Sequence, residues 1–303
     1  MICSGQSFDA AGADFSALTG LKSLCKTFSF GQVEGADRLL PGVNLIVAED
    51  QEVASCLAAD EVWKVLSATG PRVLGTATGG TMEPIWANIH QWLRDGLDLR
   101  ELKTAGLDEY VGLNPEAHQS YRSEMLRHLT PLTKYGFDPE SGLHLPKTWN
   151  HEEVLPKNEK ELLIECKRYE DFVSQNPPKL QLLGLGHDGH VGFSMPWSKS
   201  SALDVGTHLT TLSDETRRAN ARFFGGDTNA VPQQAVTMGL GTLKGMAEKG
   251  TELLLVATGA GKQDALYETL CGPIWSGCPA SYLRLLPNVT MIVDKEAAGR
   301  LIG

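Results

Sequence analysis

Short apolar runs recur along the chain, and between them apolar residues fall at helical spacing. Val43–Val47, Arg72–Ala77, Leu102–Leu107, Lys179–Leu185, Leu253–Ala257 and Val289–Val293 read as strands. Helical patterns begin at Asp50, with Val53, Leu57 and Val62 to Leu66 on one side, and run over Glu83–Leu93 through Ile85 and Ile89. Further helices are expected at His118–Leu129, Glu159–Val173, Asp214–Phe224, Lys262–Leu270 and, briefly, Lys295–Leu301. Strands alternating with helices imply parallel βαβ units, because parallel neighbours need a long crossover. The expected architecture is therefore α/β: a doubly wound, mostly parallel sheet flanked by helices.

Residues 1–40 break this pattern, being rich in Gly, Ser and Ala with little periodicity. They read as an N-terminal extension, and residues 41–303 as a single catalytic α/β domain. With 303 residues the chain could hold two domains of about 150 each, but no Pro/Ser-rich or charged linker divides it. A hydrophobic fraction of 42% and a charged fraction of 21% suit a globular protein with a sizeable core. The net charge of −10 argues against nucleic acid or an anionic membrane as partner. It leaves room for a small anionic substrate held by a few local cations. No apolar run approaches the roughly 20 residues that span a bilayer. The N-terminus lacks the basic-then-apolar pattern of a secretory signal. Six scattered cysteines fit reduced thiols, so a cytoplasmic location is expected.

Strand ends carry the candidate chemistry, as expected where open α/β sheets bind ligands. After Leu185 come Gly186, His187, Asp188, Gly189 and His190. Histidine moves protons near neutral pH, and an adjacent carboxylate can orient its ring. Thr78-Gly79-Gly80-Thr81 follows one strand and precedes a helix, a pattern that serves either a phosphate or a plain tight turn. Asp108-Glu109-Tyr110 follows another, where the carboxylates suit a general base, a helix cap or a solvated loop. Arg222, on the Asp214–Phe224 helix, and Lys262, after Gly259-Ala260-Gly261, are candidate phosphate partners or ordinary surface cations. Gly184 to Gly189 matches G-x-G-x-x-G formally, but Gly192, Ser194 and Pro196 interrupt any following helix, so no nicotinamide cofactor is expected. No metal is expected either. His187 and His190 have no acidic or cysteine partner placed in the sequence to complete a site.

Together these stretches resemble the glucosamine-6-phosphate deaminase (isomerase) family, which is related to the 6-phosphogluconolactonases. The resemblance runs from about Leu74 to Val293. It rests on Thr78–Thr81, Asp108 to Leu113, Ser120-Tyr121, Gly184 to Phe193, Thr216 to Phe224, Val236 to Leu243, and Gly259 with Lys262. Tyr110 favours the deaminase branch, since the lactonases have arginine there. The resemblance implies a modified Rossmann-like fold and a cofactor-free conversion of glucosamine 6-phosphate, or an epimer, to a ketohexose 6-phosphate and ammonia. By the same resemblance His190 opens the sugar ring, held by Asp188, and Asp108 takes the C2 proton. Thr78, Gly79, Gly80 and Thr81 hold the phosphate with Arg222 and Lys262. The implied partner is a small sugar phosphate, and a homo-oligomer is compatible with the family.

One position departs from the family pattern. Where the family reads Phe-Asn-Glu-Pro, this chain has Phe193-Ser194-Met195-Pro196. A thioether carries no charge and accepts hydrogen bonds only weakly, so Met195 cannot assist the histidine as a glutamate would. Three readings follow: a deaminase supported by Asp188 alone, a 6-phosphogluconolactonase-like hydrolase, and a non-catalytic sugar-phosphate sensor. Lys199 is the only Lys or Arg in Trp197–Thr210, where the family's allosteric phosphate site uses basic residues, so that regulation is not expected.

Overall fold

The structure is a computed structural model that describes residues 26–28, 43–149, 158–199 and 201–302. Its strands are β1 (Lys26–Phe28), β2 (Val43–Ala48), β3 (Arg72–Thr76), β4 (Leu102–Gly106), β5 (Asp108–Tyr110), β6 (Leu143–His144), β7 (Leu180–Gly184), β8 (His208–Thr211), β9 (Gln234–Thr237), β10 (Glu252–Ala257) and β11 (Val289–Asp294). The main sheet has the order β1-β2-β11-β10-β7-β3-β4-β6. Only β1 runs antiparallel, pairing Lys26 with Val47 at the edge. The other seven strands are parallel. Apart from Lys26–Phe28, the N-terminal extension lies outside the described residues, as do Cys3 and Cys25.

Burial on both faces explains why these strands read as apolar runs rather than alternating ones. All of β3 is buried, and so is β10 from Leu253 onward. Helices α1 (Gln51–Ser67), α2 (Glu83–Trp92), α3 (Tyr121–Leu129), α4 (Pro139–Gly142), α5 (Glu159–Gln175), α6 (Asp214–Asn220), α7 (Leu240–Glu248), α8 (Gln263–Cys271) and α9 (Gly299–Ile302) complete the layers. One apolar core runs from Leu45 to Leu301 in sequence. Cys166, Cys271 and Cys278 are buried free thiols. Among the described residues, no helix is long and apolar enough to cross a membrane.

The chain's path fixes where a ligand fits. From β3 it moves outward through β4 to β6, then returns to β7 on the other side of β3 and proceeds through β10 to β11. The direction reverses between β3 and β7. Connections leaving these strands diverge and open a crevice at their carboxyl ends. Thr78–Thr81 leaves β3 there, and Leu185 to His190 leaves β7.

Several local expectations are corrected. Helix α3 begins at Tyr121, not His118, because Ser120 caps it by accepting the Ser123 amide at 3.0 Å. Arg222 lies not in an α-helix but in a 3₁₀ turn, Ala221–Phe224, that follows α6. Lys295 lies in a turn, and the terminal helix starts only at Gly299. A small antiparallel sheet of order β5-β9-β8 has no counterpart in the sequence pattern. Its strands are too short to show a periodicity.

Candidate active site

A cleft of about 440 Å³ occupies the crevice. Thr78–Thr81, Asp108, His190, Arg222 and Lys262 all line it. Asp188 stands behind His190 rather than on the wall.

The first corner follows β7. His190 Nδ1 donates to Asp188 Oδ1 over 2.6 Å, and the His190 amide reaches the same oxygen at 3.2 Å. Burial pushes the Asp188 carboxyl up, but its hydrogen bond with His190 and the nearby charge outweigh this and hold it at about 2. Asp188 is therefore an ionised acceptor at neutral pH. It fixes the ring proton on Nδ1 and leaves Nε2 as the basic nitrogen. Backbone geometry makes this possible. The Gly186 amide donates to the His190 carbonyl at 2.8 Å, closing a tight turn. The imidazole packs over Gly186, where a Cβ would stand 2.3 Å from Nδ1. Gly189, at φ +84°, supplies the left-handed step between acid and imidazole. The glycines thus serve a side-chain corner, and no helix follows them.

The second corner is β5. Its pleat sends successive side chains to opposite faces, which separates two adjacent carboxylates. Asp108 lines the cleft, and burial, then the charges of Glu109 and Glu124, push its carboxyl well above the usual range. Glu109 points away and accepts the amides of Tyr110, Tyr121 and Arg122 at 2.9, 3.1 and 2.8 Å. It caps the start of α3. Burial raises its carboxyl to about 7 against the pull of those amides. Tyr110 returns to the Asp108 side, where its hydroxyl accepts from Asn220 Nδ2 at 2.9 Å.

The third corner gathers groups suited to an anion. Thr78–Thr81 precedes α2, and Met82 and Glu83 at the start of that helix line the cleft as well. The Met82 amide donates to the Gly79 carbonyl at 2.8 Å and Pro84 has no N–H, so the loop's own amides at Gly80 and Thr81 are the backbone groups offered to a ligand here. Gly79, at φ +100°, donates its amide to Glu124 Oε1 at 2.8 Å. Lys262 donates to the Leu185 carbonyl at 2.7 Å, and burial, then Arg222, lower its pKa against the opposing effect of Asp188. The Arg222 guanidinium lies 4.7 Å from the centre of the Phe223 ring.

Met195 is not on the cleft wall. It is 4% exposed and packs in a satellite cluster with Tyr110, Phe193, Leu212 and Ala221. Its sulfur accepts a weak hydrogen bond from Thr216 Oγ1 at 3.5 Å. The Phe193 amide donates to Thr237 Oγ1 at 3.0 Å, which ties the start of the Phe193–Pro196 segment to the end of β9.

Two partners of these loops, Glu124 and Glu215, leave no mark in the sequence pattern. Glu124 reaches Gly79 across 45 positions, and no local signal singles it out. His187 turns to Glu215, with Nε2 and Oε1 3.2 Å apart, so it does have an acidic partner in space.

Fold and cleft define a doubly wound α/β protein with a carboxylate–imidazole pair, a separate buried carboxylate and two cations around one crevice. Comparison with known proteins narrows this class. No family model matches the chain. A glucosamine-6-phosphate deaminase of Streptomyces avermitilis is 35% identical over 261 residues, 86% of this chain and 93% of that protein. A glucosamine-6-phosphate deaminase of Staphylococcus saprophyticus is 38% identical over 82% of this chain and 96% of that one. Among solved structures, a monomeric glucosamine-6-phosphate deaminase superposes with a TM-score of 0.73 at 32% identity, covering 85% of this chain and 99% of that chain. A 6-phosphogluconolactonase from Trypanosoma brucei shares the fold, with a TM-score of 0.64 at 18% identity over 87% of this chain and 99% of that chain. The chain belongs to the glucosamine-6-phosphate deaminase family.

Proposed function

We propose that the protein converts glucosamine 6-phosphate, or an epimer, and water to a ketohexose 6-phosphate and ammonia. The observation that carries this reading is the meeting of Asp108, the Asp188–His190 pair and the Thr78–Thr81, Arg222 and Lys262 group around one cleft. Family membership supports the same reaction. The catalytic unit is residues 41–303, and a cytoplasmic location fits its buried free thiols.

Chemistry follows from the placement. Thr78, Gly80 and Thr81 with Arg222 and Lys262 hold the phosphate, which fixes the sugar and supplies orientation, while Gly79 shapes the turn and donates its amide to Glu124. His190 Nε2 takes the proton of the C1 hydroxyl and returns a proton to the ring oxygen as the C1–O5 bond breaks. Asp188 keeps the ring in the required tautomer throughout. Asp108 then removes the C2 proton as O1 gains one, giving an enolamine, and delivers its proton to C1. The amino group gives up a proton to solvent that balances the one O1 took, leaving a C1 hydroxyl and an imine at C2. Water adds to that carbon, ammonia leaves, and the ketone remains. Burial of Asp108 raises its basicity for this step. Met195 leaves Asp188 as the carboxylate that supports His190.

A coupled assay for fructose 6-phosphate and ammonia tests the proposal. Release of ammonia with the matching ketohexose phosphate is expected from glucosamine 6-phosphate or galactosamine 6-phosphate. Hydrolysis of 6-phosphogluconolactone without ammonia release would replace this reading with the lactonase one, and tight binding without turnover would replace it with a sensor.

A further inference from the structure

Beside the Asp188–His190 corner, His187, Asp188 and Glu215 present three ligand atoms within 4.8 Å of one another. Among the described residues this is the one group of three His, Cys, Asp or Glu so placed. His187 and Asp188 are half-buried and Glu215 is exposed at the start of α6, so the group opens to solvent. We propose that His187, Asp188 and Glu215 bind a zinc-class divalent cation that inhibits the enzyme; the inhibition, though not the binding, rests on the deaminase reading.

Geometry and donor chemistry support this. Two ligand atoms about 2.1 Å from one zinc stand about 3.4 Å apart across a tetrahedral angle. His187 Nε2 and Glu215 Oε1 are already 3.2 Å apart. One imidazole with two carboxylates suits zinc and its neighbours better than magnesium or calcium. Three protein ligands leave a coordination position for water. Asp188 uses Oδ1 for His190, and its second oxygen is the one to offer the cation. His187 also lines the cleft, and a cation there draws on the negative charge that orients His190, so occupancy slows turnover from the edge of the sugar site.

Titration of the full-length protein with ZnCl₂ near neutral pH tests the site, with Co²⁺ as a spectroscopic probe. Expected are one zinc bound per chain, visible Co²⁺ bands typical of nitrogen and oxygen ligands, and inhibition reversed by a chelator. Glu215→Gln is expected to keep its basal rate, to weaken zinc binding about 10-fold or more, and to lose the inhibition in proportion. His187→Gln weakens binding likewise. No saturable binding, intense thiolate charge-transfer bands, or undiminished binding by Glu215→Gln would each overturn the proposal. Binding is read without substrate, so a failure of the deaminase reading is distinguishable from a failure of this one.

Discussion

The Gly79 amide donates to Glu124 Oε1 over 2.8 Å, so a carboxylate on α3 closes the glycine turn that opens α2. This places negative charge beside groups proposed to receive a phosphate. Glu124→Gln keeps an oxygen for the amide and removes the charge. KM for the sugar phosphate is expected to fall about two- to fivefold, the size of a partly screened charge interaction. Steady-state kinetics check this, and an unchanged KM would mean that the phosphate sits beyond Glu124's reach.

As the proposed base, Asp108 is expected to set the acid limb of activity. Its carboxyl is raised by burial and by the charges of Glu109 and Glu124, and it acts as a base only after losing its proton. Activity therefore falls as pH drops through a value well above the ordinary carboxylate range. Removing the Glu124 charge eases ionisation of Asp108, so Glu124→Gln shifts this limb to lower pH. A profile of kcat/KM against pH for both proteins reads the shift, and a shift upward would contradict it.

Asp108→Asn is expected to lower kcat by about 10²–10⁴ with little change in KM. Exchange of the substrate's C2 proton with deuterated water should stop with it. Melting temperature should hold, because the amide avoids ionising a buried carboxyl. Persistent C2 exchange would assign the base elsewhere.

Glu109 stabilises the fold through three amides. Glu109→Ala leaves these donors without an acceptor and is expected to cost about 2–4 kcal/mol in denaturant unfolding. The pH dependence has a definite sign. The folded carboxyl is raised from 4.5 to about 7, so the native state binds the proton more tightly. The stability gained from that proton is present below about pH 4.5 and is lost as pH rises through about 7. Glu109→Gln should remove that slope.

Met195 is packing in this structure, with its thioether inside an apolar cluster. Met195→Leu nearly conserves volume and is expected to change stability by less than about 1.5 kcal/mol and to leave kcat within about threefold. A loss of a hundredfold or more would show that the sulfur, or its contact with Thr216, takes part in turnover.

The alternation of strands and helices is legible in the sequence because each element signals itself within a few residues. Buried parallel strands are continuous apolar runs, and Asp50 and Ser120 cap helices by bonding amides three residues on. Glycine punctuation at strand ends points to the crevice for a similar reason: Gly186 and Gly189 are needed where backbone and side chains crowd together. The small sheet is not legible. Its three- and four-residue strands leave too few positions to repeat a pattern.

Sequence alone determined the alternating elements, the strand-end positions of Asp108, Asp188 and His190, and the family resemblance, all of which depend on neighbours along the chain. Tertiary structure decided how those residues are used. The pleat of β5 turned Asp108 into the cleft and Glu109 onto α3. Packing carried Glu124 to Gly79, Lys262 to the Leu185 carbonyl 77 positions away, and Glu215 to His187. Charge and hydrogen-bond partners are set by distance in space, and the chain must fold before that distance exists.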